Sequence, residues 1–211
     1  MTIAKGCTES LAQRDIITQG FNDLLGVLNR YKNHNEIRIK AELYDIINEK
    51  SLSDEERVSQ VSQFNGLLTE LEEIAIRIRR TIFIGLYSFW ELSLKNICEY
   101  YYMNCDRKKS ARGYSENDYL NAILHSDRPD KISLISIEIK ELRNYMTHGS
   151  LDTKRKSIID GLISAHPEFD IGKSGEEYYL TSYDGLKQIL NIINEGAHYV
   201  EETAKTINKK P

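Results

Sequence analysis

Arg143, Asn144 and His148 fall within residues 141–150, ELRNYMTHGS. An imidazole titrates near neutrality and can take up or give back a proton. A guanidinium can grip a phosphate through paired N–H donors and stabilise charge developing on it. Together these groups suit displacement of one oxygen by another at a phosphodiester. Their spacing sets a condition. Residues five apart on a helix point roughly 140° apart, so one copy converges poorly on a single substrate. Two copies meeting across a two-fold axis would bring an Arg and a His from each chain to one phosphate. The plainer alternative for His148 is a helix C-terminus, where an imidazolium suits the dipole and the last carbonyls. Arg143 on its own reads as a surface ion-pair partner of Glu138 or Glu141.

These residues need a rigid frame, and apolar periodicity supplies one. Leu11, Ile16, Ile17, Phe21, Leu24, Leu25 and Leu28 predict an amphipathic helix over 10–32, and Ile39, Leu43, Ile46 and Ile47 a second over 36–49. Ser53 followed by Glu56 forms a capping box. From there a long helix is expected to about residue 103. Phe64, Leu67, Leu71, Ile74, Ile78, Ile82, Leu86 and Phe89 keep one face apolar, and Phe83, Ile84, Tyr87, Trp90 and Leu94 make the second half apolar all round. A helix apolar on every side is a central one. A polar loop and a short helix near 116–124 follow. In residues 131–149, Ile132, Leu134, Ile137 and Ile139 alternate as in a strand. The helical set Ile132, Ile135, Ile139, Leu142 and Met146 runs longer, and Gly149 stands where a helix C-terminal glycine belongs. Asp152 can cap a helix ending before Pro167, EEYYLTSYDGL is the one extended piece, and 183–207 forms a last amphipathic helix. The fold expected is all-α: an up-and-down helical bundle with a long central helix and at most a small β-hairpin near residues 169–182. Residues 1–50 form an N-terminal helical extension packed on the bundle, and residues 51–211 the main helical domain.

Composition removes several function classes. The 211 residues suffice for one domain with a real core. A formal charge of −4 lacks the basic excess of a protein that coats nucleic acid, which leaves room for a local basic site. The start MTIAKGCTES has no apolar signal stretch, and the most apolar window, 81–90, is about half of what a bilayer needs. Cys7, Cys98 and Cys105 have no CxxC spacing and read as reduced thiols of a cytoplasmic protein. No HExxH, DxDxDG, GxGxxG, Walker or GxSxG string occurs, so no metal centre and no cofactor is expected.

Other charged residues carry two readings each. Glu91 lies among Phe89, Trp90, Leu92 and Leu94 and needs a partner: Lys95 four residues on, or Arg143 or His148 from a neighbouring helix. Lys154, Arg155 and Lys156 either bind phosphates flanking the reacting one or begin a solvated helix. Arg77, Arg79 and Arg80, and the loop residues Arg107, Lys108, Lys109 and Arg112, read as solvated faces. His34, His125, His166 and His198 have no motif around them, and Tyr100, Tyr101 and Tyr102 read as packing at a helix end.

Arg143-Asn144-Tyr145-Met146-Thr147-His148-Gly149, at the end of a helix in an all-α domain, resembles the motif of the HEPN (higher eukaryotes and prokaryotes nucleotide-binding) superfamily. SFWELSLKNI, residues 88–97, is similar to the aromatic-Glu-aliphatic stretch on a long helix of several bacterial HEPN families. The likeness covers residues 55–208 and leaves residues 1–50 unexplained. It implies a metal-independent endoribonuclease that works as a homodimer, of the kind found in toxin–antitoxin and phage-defence systems, with an antitoxin or sensor protein as a further partner. In that reading the RNA is cut by its own 2′-hydroxyl. Arg143 and His148 of both chains are catalytic, Asn144 and Glu91 support them, and Lys154, Arg155 and Lys156 bind RNA. Ser150 stands where the family's Arg-x4-His-x-Tyr pattern has tyrosine, so modification of that tyrosine does not carry over, and Tyr145 cannot be given its role by position. Two alternatives remain: a non-catalytic HEPN module that binds RNA, a nucleotide or a protein, and a purely structural helical protein.

Overall fold

The computed structural model describes residues 3–101, 115–124 and 128–208, with side chains over 13–101, 115–124 and 128–207. It is an all-α bundle with one small hairpin. Helices α1 (Ile3–Asn48) and α2 (Asp54–Tyr101) lead, followed by α3 (Glu116–Leu124) and α4 (Asp130–Ser133). A π-helical segment (Leu134–Ile139) leads into α5 (Lys140–His148) and then α6 (Thr153–Ala165). A short 3-10 turn, the strands β1 (Ile171–Ser174) and β2 (Glu177–Leu180), and α7 (Tyr183–Asn208) complete the chain.

Helix α2 is the axis of the bundle. Its N-terminus is closed by the capping box read from the sequence: Ser53 N donates to Glu56 Oε2 at 2.9 Å, and Glu56 N to Ser53 Oγ at 3.3 Å. The second half buries Phe83, Leu86, Tyr87, Trp90 and Leu94 completely, as its apolar circumference requires. Helix α7 packs on it with Leu186, Ile189, Leu190, Ile193, Ala197, Val200 and Ala204 buried at spacings of three and four. Gly196 allows that approach, since a Cβ there would lie 2.5 Å from Ile135 Cδ1 and 3.4 Å from Trp90.

One boundary differs from expectation. The two helices expected over 10–32 and 36–49 are one continuous helix, α1. The polar stretch between them contains no glycine or proline, and polarity alone does not break a helix. Lys32 pairs with Glu72 on α2 at 2.8 Å, and Lys40 with Glu36 at 2.6 Å, so the stretch is a solvated helical face. Farther up, α1 is tied to α7 by Arg14, which donates to Glu201 at 2.8 Å and to His198 Nδ1 at 2.8 Å.

Residues 130–148 form one uninterrupted helix, and the helical set Ile132, Ile135, Ile139, Leu142 and Met146 is its buried face. The strand-like set is not a face of it: Ile132, Leu134 and Ile139 are buried, whereas Ile137 is exposed. In the π segment Lys140 N bonds to Ile135 O, so one extra residue is accommodated and Leu134, Ile135 and Ser136 are all buried together. Gly149 ends α5 in the left-handed conformation (φ 68), its N–H bonded to Tyr145 O at 2.7 Å. Asp152 caps α6 by accepting from Arg155 N at 2.8 Å. In the hairpin Ile171 pairs with Leu180 and Ser174 with Glu177, around a two-residue turn with Gly175 at φ 60.

Candidate functional site

Helix α5 lies along α2 in the opposite direction. Its start meets α2 at Glu91 and Tyr87, and its end shares a groove with Arg80 and Ile76, about two to three turns nearer the start of α2 than Tyr87. The motif residues therefore face different neighbours.

Arg143 faces α2. Its guanidinium lies over the Tyr87 ring, 5.5 Å from the centroid, and its Nη2 is 3.7 Å from Glu91 Oε2. That second distance is an ion pair rather than a hydrogen bond. The one hydrogen bond made by this guanidinium among the described residues runs from Nη1 to Asn144 Oδ1 at 3.2 Å, and the buried Nε has no partner there. Asn144 is thus joined to Arg143 and not to His148. Lys95 pairs with Glu99 at 4.0 Å, leaving Glu91 to Arg143. Burial pushes the Glu91 carboxyl above its ordinary range; Arg143 pulls it partly back, and the nearby Glu116 adds to the rise.

His148 is the last residue of α5 and is exposed, with no hydrogen bond to any described residue. Neither Glu138 nor Glu141 holds Arg143. Glu141 instead accepts from Arg155 Nε at 2.7 Å, and Arg155 also reaches Ser150 O, which fastens the start of α6 to α5. Lys156 pairs with Glu176 in the hairpin turn at 3.3 Å, whereas Lys154 is exposed. Among the described residues no three His, Cys, Asp or Glu side chains gather in a way that could hold a metal ion, and no helix is long and apolar enough to cross a membrane.

Under this surface lies a group the sequence reading passed over. Glu116, the first residue of α3, is buried against α2 and α5. Tyr87 Oη donates to it at 2.8 Å, Trp90 Nε1 at 2.7 Å, and Lys140 Nζ lies 2.8 Å away. Ser115 and Asp118 form a reciprocal cap that fixes this end of α3, with Ser115 N bonded to Asp118 at 2.7 Å. The carboxylate pushes the Tyr87 hydroxyl far above its usual range, second only to burial itself, so that ring stays a neutral platform for Arg143. The signal was present in the sequence: Tyr87 and Trp90 are three apart on a buried face, and each polar tip needs a partner there.

Arg79 departs outright from expectation. It is fully buried, not solvated; it donates to Leu180 O at 2.6 Å, pairs with Glu72 and lies over the Tyr183 ring. It follows Ala75 by four and precedes Ile82 by three, which is the register of the buried face. Arg77 and Arg80 are exposed, as read. Tyr100 and Tyr101 meet edge to face at the end of α2, 4.5 Å apart. Cys7, Tyr102, Cys105, Arg107, Lys108, Lys109, Arg112 and His125 lie outside the residues whose side chains are described.

Compared with known proteins, the chain matches no protein-family model, no curated protein and no solved structure.

Proposed function

We propose that this chain is a HEPN-type endoribonuclease whose active site forms where two copies bring their α5 ends together. The observation that carries the proposal is the state of Arg143. It is seated on Tyr87 and Glu91, yet makes a single hydrogen bond among the described residues, five residues before an exposed His148 on the same helix. A guanidinium placed but not saturated suits an incoming phosphate. In the proposed reaction His148 takes the proton from the 2′-hydroxyl, and that oxygen attacks the adjacent phosphorus. Arg143 stabilises the charge growing on the phosphoryl oxygens. The P–O5′ bond breaks as His148 of the partner subunit protonates the leaving oxygen, giving a 2′,3′-cyclic phosphate and a 5′-hydroxyl. DNA lacks the attacking hydroxyl and would not be cut. Asn144 and Glu91 hold Arg143 in place, and Lys154 is the cation of its trio left open for a flanking phosphate. A toxin or phage-defence setting, with an antitoxin or sensor as regulator, belongs to the same proposal.

The test is incubation of purified protein with a panel of RNAs in EDTA beside His148→Ala and Arg143→Ala. Each variant is expected to lose about a hundredfold or more. Equal cleavage by all three proteins, or none by any, overturns the proposal, and a monomer at micromolar concentration overturns the composite site. A second reading, a non-catalytic HEPN module that binds RNA, nucleotide or protein, is favoured by one feature. Glu91, Glu141 and Glu176 already neutralise much of the positive charge near the motif. RNA bound by wild type and left intact would select it.

A further inference from the structure

Beside the α5 terminus a groove of about 480 Å³ opens between α2, the end of α5 and the hairpin. Its size falls in the range of roughly 300–1,000 Å³ in which small ligands are held. Gly149, next to His148, forms part of its wall, with Tyr145 and Tyr179, Glu177 and Arg80 around it. We propose that this groove is a nucleobase subsite that seats an unpaired guanine beside the scissile phosphate. The proposal deepens the ribonuclease reading and rests on it.

Three features point to a base. The first is aromatic surface held rigidly. Tyr145 Oη accepts from Tyr178 N at 3.3 Å, and its ring meets Tyr178 edge to face at 5.4 Å. Tyr178 is itself fixed by donating to Asp160 at 2.8 Å. Tyr179 rests against Gly172, where a Cβ would come within 2.8 Å of the ring. Bases stack on such rings with little regard to sequence.

The second feature is an acceptor at the right separation. Glu177 and Tyr179 alternate with the buried Tyr178 and Leu180, so they share one face of β2, about 7 Å apart along the strand. A base stacked on Tyr179 therefore has its edge within reach of the Glu177 carboxylate. Glu177 is exposed and pairs with no cation among the described residues. Guanine alone among the four bases offers two adjacent donors, N1–H and the N2 amine, to the two oxygens of a carboxylate. Adenine and cytosine offer one amine, and uracil one N–H flanked by two carbonyls. The third feature is Arg80, exposed on α2 at the rim and likewise without an ion pair among the described residues. It can hold the phosphate of the seated nucleotide and offset the charge of Glu177.

The test uses the full chain carrying His148→Ala, so that cleavage does not consume the probe. Its binding of guanosine 3′-monophosphate is compared with the adenosine, cytidine and uridine equivalents. The expected result is a preference for guanylate of roughly tenfold or more, lost in Glu177→Gln, with all four weakened on the order of tenfold in Tyr179→Ala. Equal affinity for the four nucleotides, or a preference that survives Glu177→Gln, overturns the subsite. If RNA is cut with no bias toward guanine and Glu177→Gln changes nothing, the subsite fails while the nuclease stands. If guanylate binds through Glu177 and no RNA is cut, the subsite stands and the nuclease fails.

Discussion

Replacing Glu116 by alanine removes one acceptor from three donors at once. Its carboxylate is 1% exposed, and the hydrogen bonds from Tyr87 and Trp90 and the ion pair with Lys140 are all 2.7 or 2.8 Å long. Taking away one member of a buried ion pair costs about 3–5 kcal/mol. A stranded buried neutral donor costs about 1–3 kcal/mol more. These terms overlap, and Lys140, 29% exposed, can turn toward water. The low ends are therefore the right ones: about 3 for the charge and about 1 for the two aromatic tips together, roughly 4 kcal/mol in all. Against an overall stability of about 5–15 kcal/mol that is a large fraction. With a urea dependence near 3 kcal/mol per molar, the unfolding midpoint should fall by roughly 1.3 M. Glu116→Gln keeps an acceptor while losing the charge, and should fall about half as far. Adding Lys140→Met to Glu116→Ala should recover part of the loss, because no charge is left stranded. A midpoint for Glu116→Ala within about 0.3 M of wild type would show that the three donors find water or other partners, and the reasoning would fail.

Other consequences can be checked as directly. In Glu91→Gln the ion pair with Arg143 disappears, yet at neutral pH stability should hold or rise by up to about 1 kcal/mol, the half-exposed site keeping the effect small. The reason is the direction of the Glu91 shift: burial raises its folded value above the ordinary 4.5, so its ionised form is the disfavoured one in the native state. Its stabilising contribution is present below that ordinary value and is lost as pH rises through the raised one. The gain in Glu91→Gln should therefore vanish near pH 4, and melting curves at the two pH values decide. Gly149→Ala forces a side chain into φ 68 with no atom within 4 Å, so it should cost only the backbone term, about 1–2 kcal/mol by urea titration. Gly185→Ala is different in kind, because its Cβ would lie 2.2 Å from Phe169 O; a loss of about 3 kcal/mol or more is expected, and near-native stability would refute it.

The frame was legible where one physical signal dominated. The buried face of α2, the capping box at Ser53, the stop at Gly149 and the hairpin each follow from periodicity or turn chemistry that a linear reading captures. Errors arose where residue type was allowed to outvote position. Arg79 was read as solvated because it is charged, although its place in the repeat is a core place and Leu180 O was waiting for a donor. The two apolar stretches over 10–32 and 36–49 belong to one helix, α1, whose polar stretch between them lies on its surface. Glu116 was missed because its partners lie 24 to 29 residues away on two other helices, and no local pattern announces such a meeting. The pairing of Glu91 was one of two readings, and only the approach of α5 could choose between Lys95 and Arg143.

The same approach gives the spacing of the motif its meaning. Five residues separate Arg143 from His148, so their side chains leave α5 roughly 140° apart, while Tyr145, three before His148, leaves only about 60° from it. One direction is filled by α2, where Tyr87 and Glu91 hold Arg143. Another is filled by the hairpin, where Tyr178 holds Tyr145. The third, that of His148, ends in solvent. Within a single chain the helix therefore separates a guanidinium from an imidazole and anchors only the former. Arg143 rests on a Tyr87 ring whose own hydroxyl is tied to the buried Glu116 carboxylate, the group that joins α2, α3 and α5. In the proposed dimer, His148 of a second copy would have to reach the part of the guanidinium that Tyr87 and Glu91 leave uncovered, the Arg143 side chain being 24% exposed.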